Sequence, residues 1–112
     1  MPADLDLITL DVAAQALGLP IKRVHQLVND GDLIVVRGED GIRRVPRDFM
    51  GDGAPIKGLP AVITLLRDVH YEDDEILDWL YRADESLPGT PIQALRENRG
   101  REVKRRAQVA GF

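Results

Sequence analysis

Apolar positions in the first half of the chain change their spacing twice. Val12, Ala13, Ala16 and Leu17 recur at helical intervals, which predicts a short helix with one buried stripe. Thr9 stands before it, where a hydroxyl accepts from the unpaired amides of a first turn. Gly18 stands after it, where a left-handed residue ends a helix. Pro20 suits the start of a second helix, because the amide it lacks would have had no partner there. Ile21, Val24, Leu27 and Val28 predict that helix's buried face, and Gly31 its end. The spacing then gives way to β-rich runs at Leu33 to Arg37 and Ile42 to Val45. Gly38-Glu39-Asp40-Gly41 between them is a hairpin signal, and Pro46 closes the second run.

Gly51-Asp52-Gly53-Ala54-Pro55 reads as a linker. Beyond it the pattern is helical. Leu59 to Val69 predicts a helix with Pro60 in its first turn and apolar residues on more than one side. Glu72-Asp73-Asp74-Glu75 opens another, carrying Ile76, Leu77, Trp79, Leu80 and Tyr81; these carboxylates complement the positive helix end. Leu87-Pro88-Gly89 is a break, Thr90 a cap and Pro91 the start of a helix with Ile92 and Leu95. Gly100 interrupts the pattern before Arg101 to Val109. The chain therefore reads as mainly α with a small β-hairpin wing. A winged helix-turn-helix over residues 1–50 precedes a C-terminal helical bundle, residues 51–112, packed on it.

Composition narrows the function classes. A length of 112 residues supports one compact domain or two small modules. The absence of cysteine excludes a disulfide scaffold, a thiolate zinc site and a cysteine nucleophile. No apolar run is long enough to span a membrane, and Met1 to Asp6 is acidic where a signal peptide is basic, so a cytoplasmic location is expected. His25 and His70 form no metal-ligand pair, no glycine-rich loop carries a phosphate-binding lysine, and Ser86, the only serine, has no neighbouring base. No catalysis, cofactor or metal is expected.

The net charge of −4 points away from nucleic acid until it is divided along the chain. Residues 20–47 carry +2, residues 48–90 carry −7 and residues 91–112 carry +4. With Ile21, Val24 and Val28 inward, Lys22, Arg23, Gln26 and Asn29 share the outward face of the second helix, with His25 at its border. Arg23, Gln26 and Asn29 have planar donor groups suited to base edges in a major groove. The hairpin adds Arg37, Arg43 and Arg44. Arg43 and Arg44 are adjacent on a strand and point to opposite faces, so one reaches DNA while the other packs or pairs. Asp30 and Asp32 repel phosphates at the helix end, which favours contact through its N-terminal part.

The stretch from Leu7-Ile8-Thr9-Leu10-Asp11-Val12-Ala13-Ala14-Gln15-Ala16-Leu17-Gly18 through Val24-His25-Gln26-Leu27-Val28-Asn29-Asp30-Gly31-Asp32-Leu33 resembles the winged helix-turn-helix of excisionase and MerR-type DNA-binding proteins. By that resemblance Lys22, Arg23 and Gln26 match recognition-helix positions, and Arg43 and Arg44 match the wing. His25 and Asn29-Asp30 stand where that family is often basic. Lys57-Gly58-Leu59-Pro60, Ile63-Thr64-Leu65-Leu66-Arg67-Asp68, Asp78-Trp79-Leu80, Thr90-Pro91-Ile92-Gln93-Ala94-Leu95 and Glu102-Val103-Lys104-Arg105-Arg106-Ala107-Gln108 look like the small actinobacterial DNA-binding proteins of the mycobacterial type.

The second resemblance implies double-stranded DNA as partner, a role in transcription regulation and a nucleoid-associated location. It also implies a serine/threonine kinase input, acting in an N-terminal tail. The residues before the first expected element include no Ser or Thr, so that input is carried over to no residue. The C-terminal helices also resemble the tail of antitoxins, which implies the alternative of an adaptor or antitoxin binding a protein partner. In that tail Val103, Ala107, Val109 and Phe112 would dock on the body. Lys104 and Arg105 would then meet phosphates or a partner's acids.

Overall fold

The computed structural model describes residues 2, 5–83 and 89–110. Contacts divide them into two compact units, one running from residue 5 to Ile56 and the other from Lys57 onward. The breaks expected at Leu87-Pro88, together with Ser86 and Phe112, lie outside the described residues. Among the described residues no helix is long and apolar enough to cross a membrane.

The first unit begins with β1 (Leu7–Thr9), which runs directly into α1 (Leu10–Leu17). Thr9 serves both elements, because its backbone is extended and its Oγ1 accepts from the Val12 amide at 3.3 Å. Gly18, at φ 70°, ends α1 as expected. The buried stripe, however, is Leu10, Ala13, Ala14 and Leu17, while Val12 and Ala16 are exposed. The helix starts at Leu10, and its i, i+3, i+4, i+7 positions select a stripe turned from the one expected.

Pro20 precedes α2 (Ile21–Asn29), whose buried residues are Val24 and Leu27. Val28 is half-buried and Ile21, expected inside, is 39% exposed. Leu33 and Ile34 are fully buried but form no strand; pairing is confined to β2 (Val36–Arg37) and β3 (Arg43–Pro46). β1 joins them in a three-stranded antiparallel sheet of order β1-β3-β2, in a register that sets Ile8 opposite Val45 and Arg37 opposite Arg43. The expected hairpin is therefore two strands of three. Ile8 and Val45 are both buried on one face of the sheet, and both β1 and β3 contact α1.

After a short 3-10 turn at Arg47–Phe49, the glycine-rich segment folds back instead of running free. The Gly51 amide donates to the Ala54 carbonyl and that of Ile56 to the Phe49 carbonyl, each at 2.9 Å. The segment is a closed turn of the first unit. Arg47 ties the unit's ends, its Nε lying 2.9 Å from Asp6 Oδ2.

The second unit is a helical bundle of α3 (Leu59–Asp68), α4 (Asp73–Tyr81), α5 (Pro91–Arg96) and α6 (Gly100–Val109). α3 meets α4 and α6, and α5 meets the same two. Their inward residues include Val62, Ile63, Leu66, Ile76, Leu80, Leu95, Val103 and Ala107. Thr90 caps α5 in a reciprocal pair with Gln93. The acidic run before α4 is used locally, since Glu75 Oε1 accepts from the Glu72 amide at 2.9 Å and Asp73 pairs with Arg67 at 3.0 Å. The break before α6 falls at Asn98, at φ 64°, and Gly100 is the helix's first residue. Val109, expected to dock, is 58% exposed.

Candidate nucleic-acid interface

The pairing of α1 with α2 exposes one side of the second helix. Lys22, Arg23, Gln26 and Asn29 are exposed there, and His25 is half-buried beside them. Arg23 Nη1 donates to Gln26 Oε1 at 2.5 Å, one helical turn on. That bond uses the Gln26 carbonyl oxygen and one guanidinium nitrogen, so the donors of both side chains belong to one patch of the surface.

The wing approaches this helix through Arg43. Its Nη2 lies 3.4 Å from His25 Nδ1. An arginine only donates, so in a hydrogen bond between the two Nδ1 is the accepting atom. Strand alternation puts Arg43 on the same face as Val45, and the register puts Arg37 directly across from it. Arg37 is exposed. The structure thus brings Arg37 and Arg43 together and joins Arg43 to the recognition-helix candidates.

Arg44 is on the other face of the sheet, across from Thr9 and Val36. It pairs with Asp40 in a two-pronged contact at 2.9 and 3.2 Å. The hydrogen bond from Arg44, followed by one from the Ile42 amide, lowers the Asp40 carboxyl from 3.8 to about 2, and Asp40 in turn raises Arg44. Asp30 is exposed at the C-terminal end of α2, away from Lys22 and Arg23.

Between α1, α2 and the wing lies an open cleft of about 380 Å³ lined by Thr9, Asp11, Ile21, His25, Ile42 and Arg43, among others. Ile21 and Ile42 are 39% and 46% exposed on it. Sequence reasoning missed both as surface residues, because an isolated apolar residue is assigned to the core by default. For Ile42 a signal was present: it follows the turn glycine Gly41, at the edge of the hairpin.

Comparison with known proteins agrees with this architecture along the whole chain. Residues 1–50 match the family model described as "DNA-binding protein Rv2175c, wHTH domain". Residues 56–111 match the model described as "Rv2175c C-terminal domain of unknown function". The DNA-binding protein Rv2175c of Mycobacterium tuberculosis (strain ATCC 25618 / H37Rv) is 35% identical over 111 residues, covering 88% of this chain and 76% of the relative. The chain belongs to the Rv2175c family. The NMR structure of Rv2175c superposes with a TM-score of 0.84 at 33% identity, covering 100% of this chain and 85% of the other. Membership accounts for both units at once, since the two Rv2175c models match the winged module and the helical bundle in the same order.

Proposed function

We propose that this protein binds double-stranded DNA through its winged helix-turn-helix and regulates transcription. The observation that carries the reading is the single surface formed by Lys22, Arg23 and Gln26 on α2 and by Arg43, which reaches α2 through His25. Relatedness to a protein named for DNA binding supports the same reading. The N-terminal half of α2 enters a major groove. There Arg23 and Gln26 read base edges, with Asn29 at the far margin and His25 at the border with the wing. Lys22, Arg37 and Arg43 contact phosphates, which fix orientation without reading sequence. Ile21 and Ile42 supply apolar contacts for a thymine methyl group. Arg44 contributes to the wing's own order first and to phosphate binding second. The site of action is the cytoplasm, at the nucleoid.

Selection from random duplexes tests the reading. The wild type is expected to enrich a defined motif with an affinity that falls steeply with salt. The double variant Arg23→Ala/Gln26→Ala is expected to bind with relaxed preference. An unchanged motif in the double variant removes α2 from the reading role, and affinity that ignores salt removes the phosphate contacts.

A further inference from the structure

The bundle of α3 to α6 has a charged cleft of its own. It measures about 590 Å³, and its lining includes Lys57, Gly58, Asn98, Gly100, Arg101 and Lys104. All these residues belong to the second unit. The lining holds three cations, no acid and no large apolar side chain. Two other cations of the bundle are paired, Arg67 with Asp73 and Arg99 with Glu97. Among the described residues Lys57, Arg101 and Lys104 have no such acidic partner. Unpaired like charges that converge on one concavity repel one another and concentrate an anion there.

The cleft comes from a close approach of backbone. A Cβ on Gly58 would lie 3.2 Å from Leu95 Cδ2 and 3.7 Å from the Gly100 Cα, so the glycines let the starts of α3 and α6 meet. The chain segments bearing Lys57 and Arg101 are thereby brought side by side. Arg105, adjacent to Lys104 in sequence, belongs elsewhere; it lines a separate depression with Glu102, Arg106 and Val109.

We propose that this cleft binds phosphate groups. The three cations on the lining, with no acid among them, favour an anionic ligand, and the volume is in the range that takes a whole small ligand or a short stretch of a strand. Two lysines act as mobile point charges, and the arginine adds a planar fork that matches phosphate oxygens. The phosphates come either from a nucleic-acid backbone or from a free phosphorylated compound. The backbone source rests on the DNA reading above, whereas the site itself does not.

The test follows the backbone amides of the full chain by NMR during addition of sodium phosphate, with sodium chloride at equal ionic strength as control. Gly58, Gly100 and Arg101 are expected to shift with phosphate and not with chloride. The variant Lys57→Gln/Lys104→Gln, its thermal midpoint unchanged, is expected to lose most of that response. In duplex binding, the same variant is expected to lower the salt slope by about 2 where the strand supplies the phosphates. An unchanged slope with the phosphate response intact in the wild type assigns the cleft to a free phosphorylated compound. Absence of a phosphate-specific shift at these amides overturns the site, whatever the winged module does with DNA. Failure of the wild type to enrich any duplex, with the phosphate response present, overturns the DNA reading and leaves the cleft standing.

Discussion

Asp40 holds Arg44 across the wing turn with both carboxylate oxygens, at 2.9 and 3.2 Å, while the same carboxylate accepts from the Ile42 amide at 3.0 Å. One acid therefore fixes the turn and occupies a cation at once. Arg43, next in sequence, faces the other way and reaches His25. Two arginines that look equivalent in the sequence have separate tasks. Arg44 satisfies the hairpin, and Arg43 joins the hairpin to α2.

The Asp40 contact makes wing order depend on acid pH. Its carboxyl lies at about 2 in the folded wing against an ordinary 3.8. The folded value is the lower one, so the contribution is fully present above the unfolded value and is lost as pH falls through the folded one. Exchange protection of the Ile42 amide is expected to persist on acidification past 3.8 and to disappear near 2. In Asp40→Asn that amide is expected to exchange faster at every pH. Loss of protection centred on the ordinary carboxylate value would show that Arg44 does not hold Asp40.

Two threonine caps fix helix starts in different units. Thr9 accepts from the Val12 amide at 3.3 Å and Thr90 from the Gln93 amide at 3.2 Å. Replacing either with alanine is expected to cost about 1 kcal/mol, and replacing either with serine a fraction of that. Denaturation midpoints for the four variants check both sites. A serine variant as unstable as its alanine counterpart would assign the loss to the threonine methyl and not to the cap.

Features set by a few neighbouring residues were legible in the sequence. Thr9, Gly18, Pro20, Thr90 and Pro91 each mark a boundary through their own backbone chemistry, and the observed helices begin or end at or beside them. The alternation of Arg43 and Arg44 was legible for the same reason. β1 was not, because three residues are too short to show a period and their partner, β3, is remote in sequence. The stripe of α1 was misread because Leu10 lies at the junction with that unseen strand. The linker reading of residues 51–55 followed composition, but glycine and proline also build closed turns, and the hydrogen bonds of Gly51 and Ile56 decide between the two. On the candidate site, the polar face of α2 could be laid out from periodicity. The exposure of Ile21 and Ile42 could not, since it depends on how the wing meets the helix.

Gly18 offers a test of backbone strain without steric conflict. Its φ is 70°, and nothing lies within 4 Å of where a Cβ would stand. Gly18→Ala is therefore expected to destabilise by about 1 kcal/mol through the left-handed conformation alone. Gly18→Asn should cost less, because asparagine tolerates that region better. Urea denaturation of both variants measures the difference. Equal losses in the two would indicate a lost contact in place of a conformational cost.

The separate roles of the two wing arginines predict unequal effects on DNA affinity. Among the described residues Arg43 has only the long contact to His25, whereas Arg44 is engaged by a carboxylate that a phosphate must displace. Each phosphate contact removed lowers the salt slope by about 0.9. Arg43→Gln is expected to show that full decrement, and Arg44→Gln less than half of it. Asp40→Ala should raise affinity at low salt and steepen the slope, because it removes an acid and frees Arg44 at the same time. The gain should vanish when Asp40→Ala is made in the Arg44→Gln background, apart from the general effect of deleting one negative charge. This cycle separates a freed contact from a change in net charge, since only the freed contact depends on Arg44. A gain of equal size in both backgrounds would mean that Asp40 acts through the protein's overall field, and that Arg44 has no phosphate to reach.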